Sequence, residues 1–190
     1  MDFLSVFTEP NKIKAHIDDF SATDRLENHL TSLLVSANHR SLIILCIGTD
    51  RSTGDSLGPL IGTHLGRFTL PKLHVWGTLD APVHATNLEE KLNLITKRFP
   101  DPFVIAVDAC LGRLDSVGCL ILGEGPLKPG AGVHKKLPEV GNAYLTGIVN
   151  VGGFMEYMVL QNTRLSLVWK MALTTSNLIS RAYLRASCTA

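Results

Sequence analysis

Two short apolar runs constrain this chain more than any other feature: LIILCI at residues 42–47 and FVIAV at residues 103–107. Neither alternates apolar with polar residues, so neither suits a strand with one wet face. Each reads as a strand buried on both sides, as in a sheet covered by helices. The segments around them carry helical spacing. Leu26, Leu30, Leu33, Leu34 and Ala37 predict a helix from Thr23, as its cap, to about Asn38. Leu88, Leu92, Ile95 and Phe99 predict another, capped by Thr86 or Asn87 and stopped by Pro100 and Pro102. Between the runs fall a helix from about Ser56 to Phe68 and a strand over residues 73–77. Strands over 117–122 and 145–151, divided by GEGPLKPGAG, and helices over 154–160 and 165–182 complete the chain.

Strands alternating with helices predict an α/β fold, a doubly wound, mostly parallel sheet flanked by helices. No repeat or Gly/Ser linker divides the 190 residues, too few for two ordinary domains. One domain over residues 23–190 is expected, preceded by an irregular lead-in over residues 1–22. The stripe Leu165, Val168, Met171, Ala172 and Leu178 reads as core, and spare apolar surface on that helix suits a homodimer.

The net charge is +1, and no basic cluster exceeds short pairs such as Lys135-Lys136, so nucleic acid is not an expected partner. No apolar stretch approaches the roughly 20 residues of a membrane helix. The N-terminus lacks a basic patch followed by an apolar core, which argues against a secretory signal and for the cytoplasm. Cys46, Cys110, Cys119 and Cys188 have no ligand-like spacing, and no disulfide framework is expected.

Ligands in such sheets bind beyond the carboxyl ends of the strands, where strand order reverses. The first exit loop is GTDRSTGDSLGP, residues 48–59. It lacks the lysine of a phosphate-binding loop and has Asp55 after Gly54, where a carboxylate would repel phosphate. Asp55 is then either a helix cap or a working carboxylate at a helix N-terminus, where the dipole favours its ionised form. Gly58 and Gly62 allow the helix to pack closely on the sheet. Asp108 follows the second apolar run. Two aspartates at the carboxyl ends of two strands in one parallel sheet can converge on one cleft and act as a pair on water, Asp108 expected to hold a proton because it is buried close to a like charge. Asp50 and Arg51 are expected to line the cleft or to pair with each other, and Asn150 to bond a substrate backbone. Cys110 has no visible base and reads as packing. Ser56 in GDSLG is similar to the serine of the GDSL esterases, but no late D-x-x-H accompanies it.

IGTDRSTGDSLGPLIG, GTLDAPVHATNL, VDACLG, PGAGVHKKLPEVG and LTGIVNVGGFMEYMVLQNTRL together resemble the YyaC sporulation proteins, also labelled spore protease, from about Ser41 to Arg181. That family resembles the spore germination proteases and the hydrogenase maturation endopeptidases. The resemblance implies a phosphorylase/hydrolase-like fold and a cytoplasmic place inside the spore or forespore. DSLGP and VDA are similar to the segments carrying the two germination-protease aspartates, which implies catalytic roles for Asp55 and Asp108 on a peptide or protein substrate. Three readings follow. The first is an aspartate-pair endopeptidase without a cofactor. The second is a divalent-metal endopeptidase of the hydrogenase-maturation type, Asp55 and Asp108 binding the ion with His134 or His84. The third is a non-catalytic module that binds a peptide or protein during sporulation. His84 is otherwise expected to line the substrate cleft.

Overall fold

A computed structural model describes residues 12–37, 40–129 and 137–189. In chain order the elements are β1 (Lys12–His16), α1 (Phe20–Ser36), β2 (Leu42–Cys46), α2 (Leu57–Leu65), β3 (Leu73–Trp76), α3 (Leu88–Arg98), β4 (Phe103–Gly112), β5 (Cys119–Glu124), β6 (Ala143–Val151), α4 (Glu156–Gln161) and α5 (Leu165–Thr189). Six strands form one mixed sheet in the order β1-β5-β6-β4-β2-β3. β3, β2, β4 and β6 run parallel, as expected, while β5 runs antiparallel to both β6 and β1.

Both central strands are buried on both faces. Leu42, Ile44 and Cys46 of β2 join the core formed with α1, α2 and α5. Ile43, Leu45 and Ile47 point the other way, to a smaller core with Leu88, Ile95 and Phe99 of the α3 region. The two helical layers thus explain the absence of polar alternation in LIILCI.

Several boundaries differ from the sequence expectation. The lead-in contains β1, whose Lys12 to His16 pair with Gly123 to Cys119 of β5. Its polar composition disguises it, because an edge strand buries little. α1 starts a turn early: Asp19 Oδ1 accepts the Ala22 amide at 3.0 Å and caps it, while Thr23 sits inside the helix and donates to the Asp19 carbonyl. In the α5 stripe Val168, Met171, Ala172 and Leu178 are buried, but Leu165, at the first position, is exposed. β4 runs on to Gly112 because β6 accompanies it.

α2 touches the sheet backbone to backbone. A Cβ on Gly58 would lie 2.1 Å from the Ile47 carbonyl oxygen, and one on Gly62 would lie 1.9 Å from that of Gly77. Neither oxygen can yield without moving a strand exit. Gly58→Ala is expected to lower stability by about 3 kcal/mol, the upper part of the range for overpacking, measured by denaturant unfolding. A loss under 1 kcal/mol would show that α2 can lift away at small cost.

Candidate active site

Strand order reverses between β2 and β4, since the chain proceeds outward from β2 to β3 and then returns to β4 on the other side. The last paired residues of β2 and β4 are Cys46 and Val107. Beyond them the chain after β2 turns toward Val83: Ile47 bridges to it, and the Gly48 amide donates to its carbonyl at 2.8 Å. β4 continues beside β6, with Asp108 paired to Thr146. A crevice therefore opens on the β2 side of β4 at Asp108, which lies inside the long strand rather than at its end.

The loop after β2 folds back on itself. Gly48 has φ +142°, and a Cβ there would fall 2.0 Å from the Asp55 carbonyl oxygen. The Thr49 amide donates to that oxygen at 3.1 Å. This closure holds Asp55 within a 3-10 turn, Gly54–Ser56, just before α2. The carboxylate makes no capping bond to α2. Ser56, the residue before α2, donates its hydroxyl to the Thr53 carbonyl at 2.7 Å, which commits it to the turn rather than to nucleophilic chemistry.

Asp55 and Asp108 line one cavity of about 310 Å³ with Thr49, Arg51, Ser52, His84 and Cys110, and with an apolar wall that includes Leu137, Tyr157 and Leu160. Asp108 is buried, and its Oδ1 accepts the Ala109 amide at 2.8 Å. Burial drives its pKa well above the ordinary 3.8, the charge of Asp55 pushes it further, and the Ala109 amide opposes both. Asp55 is half-buried. Burial raises its pKa as well, against the lowering effects of the Thr49 amide and His84. The expected depression by the helix dipole is thus outweighed by desolvation. Asp108 is the more deeply buried of the two, and both its burial and the charge of Asp55 favour its protonated form.

The other sequence candidates divide. Arg51 reaches the cavity, and its Nε donates to Thr49 Oγ1 at 3.3 Å rather than to Asp50, which is exposed and outside the lining. His84 reaches it too, with Nδ1 2.8 Å from Thr86 Oγ1. Asn150 does not. Its amide donates to Thr163 Oγ1 at 3.2 Å and to the Val159 carbonyl at 3.4 Å, tying the α4 region to β6. Burial pushes the Cys110 thiol up to about 11, so its thiolate is scarce at neutral pH. His134 lies outside the described residues. Among those described, no three His, Cys, Asp or Glu side chains form a group able to hold a metal ion. Sequence reasoning missed Ser52, Tyr157 and Leu160. Ser52 lay in the loop under scrutiny, whereas the α4 residues arrive by tertiary folding alone.

No helix among the described residues is long and apolar enough to cross a membrane. A family model described as "protein of unknown function (DUF1256)" matches residues 14–178. The chain is 54% identical over 169 residues to the uncharacterised protein YyaC of Bacillus subtilis strain 168, covering 88% of this chain and 82% of that one. Its fold is similar to that of the [NiFe] hydrogenase maturation protease HycI from Thermococcus kodakarensis KOD1, with a TM-score of 0.56 and 18% identity over 80% of this chain and 99% of that one.

A carboxyl with a raised pKa is easier to ionise in the unfolded chain. Its contribution to stability is therefore full below the unfolded value and declines as pH rises through the folded value. Asp108→Asn keeps the shape and removes the ionisation. Its melting temperature is expected to exceed that of the wild type at pH 7–8, by about 2–4 °C per kcal/mol of relieved penalty, and the advantage should vanish toward pH 4. A deficit at every pH would contradict the assigned direction.

Proposed function

The chain belongs to the DUF1256 family, and from that premise we propose that it is an endopeptidase whose Asp55 and Asp108 hydrolyse a peptide bond as a pair. The observation that carries this reading is that both carboxyls line one cavity, Asp108 buried in its wall, where burial and the charge of Asp55 favour the protonated form of Asp108. A pure binding module gains nothing from a like-charge pair whose burial works against ionisation. The likeness in fold to a maturation protease is compatible with the reading.

In this mechanism Asp55, ionised, takes a proton from water as its oxygen attacks the peptide carbonyl carbon. Asp108, protonated, gives its proton to the carbonyl oxygen. The tetrahedral diol then collapses. Asp55 passes its proton to the leaving nitrogen as the C–N bond breaks, and the diol returns a proton to Asp108. Both carboxyls regain their starting states, and the products are an acid and an amine. The active form needs one proton on the pair, so the two apparent pKa values belong to the dyad.

The surroundings favour a polypeptide substrate with bulky apolar side chains. α4 buries none of its residues, and Tyr157, which walls the cavity, is 64% exposed beside the exposed Phe154, Met155 and Met158. Such a contiguous apolar surface marks a binding region. The resemblance to sporulation proteins supports a setting inside the spore-forming cell.

Asp55→Asn and Asp108→Asn are each expected to lower kcat on quenched fluorogenic peptides by roughly 10²–10⁴-fold with folding intact, and the wild-type rate should be bell-shaped in pH. Full activity in either variant would overturn the aspartate mechanism. Under this reading the rate survives dialysis against EDTA; a rate restored only by added divalent ions would transfer the chemistry to a metal. Tyr157→Ser should raise KM about tenfold for peptides with large apolar residues, through about 1.5 kcal/mol of lost apolar burial. An unchanged KM would remove α4 from substrate recognition.

A further inference from the structure

Four buried side-chain atoms have no hydrogen-bond partner among the described residues: His29 Nε2, Ser52 Oγ, His64 Nε2 and Thr175 Oγ1. Only Ser52 lines the cavity shared by Asp55 and Asp108. It is 7% exposed, and its place is fixed by the backbone, its carbonyl accepting the Ser56 amide at 2.9 Å. The contrast with Ser56 is informative. That hydroxyl, also buried and in the same loop, bonds to the Thr53 carbonyl at 2.7 Å. The loop therefore can satisfy a serine internally and does not do so at Ser52. Buried hydroxyls are nearly always paired, because the lost contact with water is otherwise uncompensated. Ser52 Oγ is enclosed in the free protein, and an unpaired donor in the wall of the cavity gains a partner when a ligand seats there.

We propose that Ser52 Oγ donates a hydrogen bond to the carbonyl oxygen of the scissile peptide and retains it as that oxygen becomes tetrahedral. The inference rests on the peptidase reading. The oxygen has two lone pairs, so it can accept from Ser52 while receiving the proton of Asp108. Ser52 keeps its own proton throughout, and no bond to it forms or breaks. The enclosed hydroxyl reaches the cavity by a side-chain rotation on a turn whose backbone stays fixed, and its bond strengthens as charge develops on the oxygen, which makes it more effective in the transition state than in the bound substrate. The ligand chemistry that fits is a main-chain amide carbonyl, available in any polypeptide regardless of its side chains.

The test compares the full-length wild type, Ser52→Ala, Asp55→Asn and Asp108→Asn on a pool of internally quenched decapeptides, with the melting temperature of each protein measured without peptide. Ser52→Ala is expected to lose about 10²–10³-fold in kcat, with KM within about threefold, the pH limits unmoved and the melting temperature unchanged or higher, since no internal bond is removed. A structural hydroxyl would instead lower the melting temperature by several degrees and leave kcat nearly intact; that result overturns the proposal. If both Asp variants are inactive while Ser52→Ala retains full kcat, the Ser52 role fails and the aspartate mechanism stands. If either Asp variant retains full activity, the mechanism itself fails, and Ser52 with it.

Discussion

The carboxyl of Asp108 is held away from water at the junction of two parallel strands, within the electrostatic reach of a second carboxyl. Everything else about the candidate site follows from how the fold sustains that arrangement. β2 and β4 pair only as far as Cys46 and Val107, and the chain after β2 then leaves to meet Val83. The gap so created belongs to the reversal in strand order, a general consequence of winding an open sheet in two directions. Asp55 reaches the same cavity because Gly48 permits a backbone that a side chain would forbid and because α2 sits close on its glycines. One carboxyl is set by the sheet and the other by a 3-10 turn leading into a helix pinned against it.

This arrangement is unfavourable for the free fold in several small ways. Desolvation raises both aspartates, and like charge adds to the burden on Asp108. A buried hydroxyl goes unmatched, and an apolar helix lies open to solvent. Each departs from what packing alone would select, and these gather around one cavity of about 310 Å³, while the unmatched atoms of His29, His64 and Thr175 lie outside its lining. Local violations of packing rules that converge in space are a signature of function. The same reasoning separates Asn150 from the group, because its amide is satisfied by Thr163 and Val159.

Much of the fold was legible because burial on two faces leaves a plain mark on a strand. LIILCI and FVIAV become β2 and β4, and the spacing of Leu26, Leu30, Leu33 and Leu34 becomes the buried face of α1. β1 was not legible: KIKAH is stabilised by pairing with β5 at the sheet edge, and pairing leaves no periodic signature. Nor was the extension of β4 past Asp108, which depends on the length of β6. At the site, the alternation of strands and helices directed attention to the residues just after the two apolar runs, and with them to Asp55, Arg51 and Asp108, although Asp108 lies within β4 rather than in its exit loop. The direction of the Asp55 shift could not, since burial competes there with the helix dipole and burial is a tertiary quantity. Ser52 escaped notice because a serine in a polar loop carries no sign of whether its hydroxyl is matched.

The central claim is that the two carboxyls form one proton-sharing unit. It is tested most directly by following the side-chain carboxyl carbons of Asp55 and Asp108 by NMR from pH 3 to pH 9. The account predicts two linked transitions, the later one well above the ordinary range and centred on Asp108, moving downward when Asp55 is replaced by Asn. Two independent transitions near 3.8, unaffected by that replacement, would contradict it.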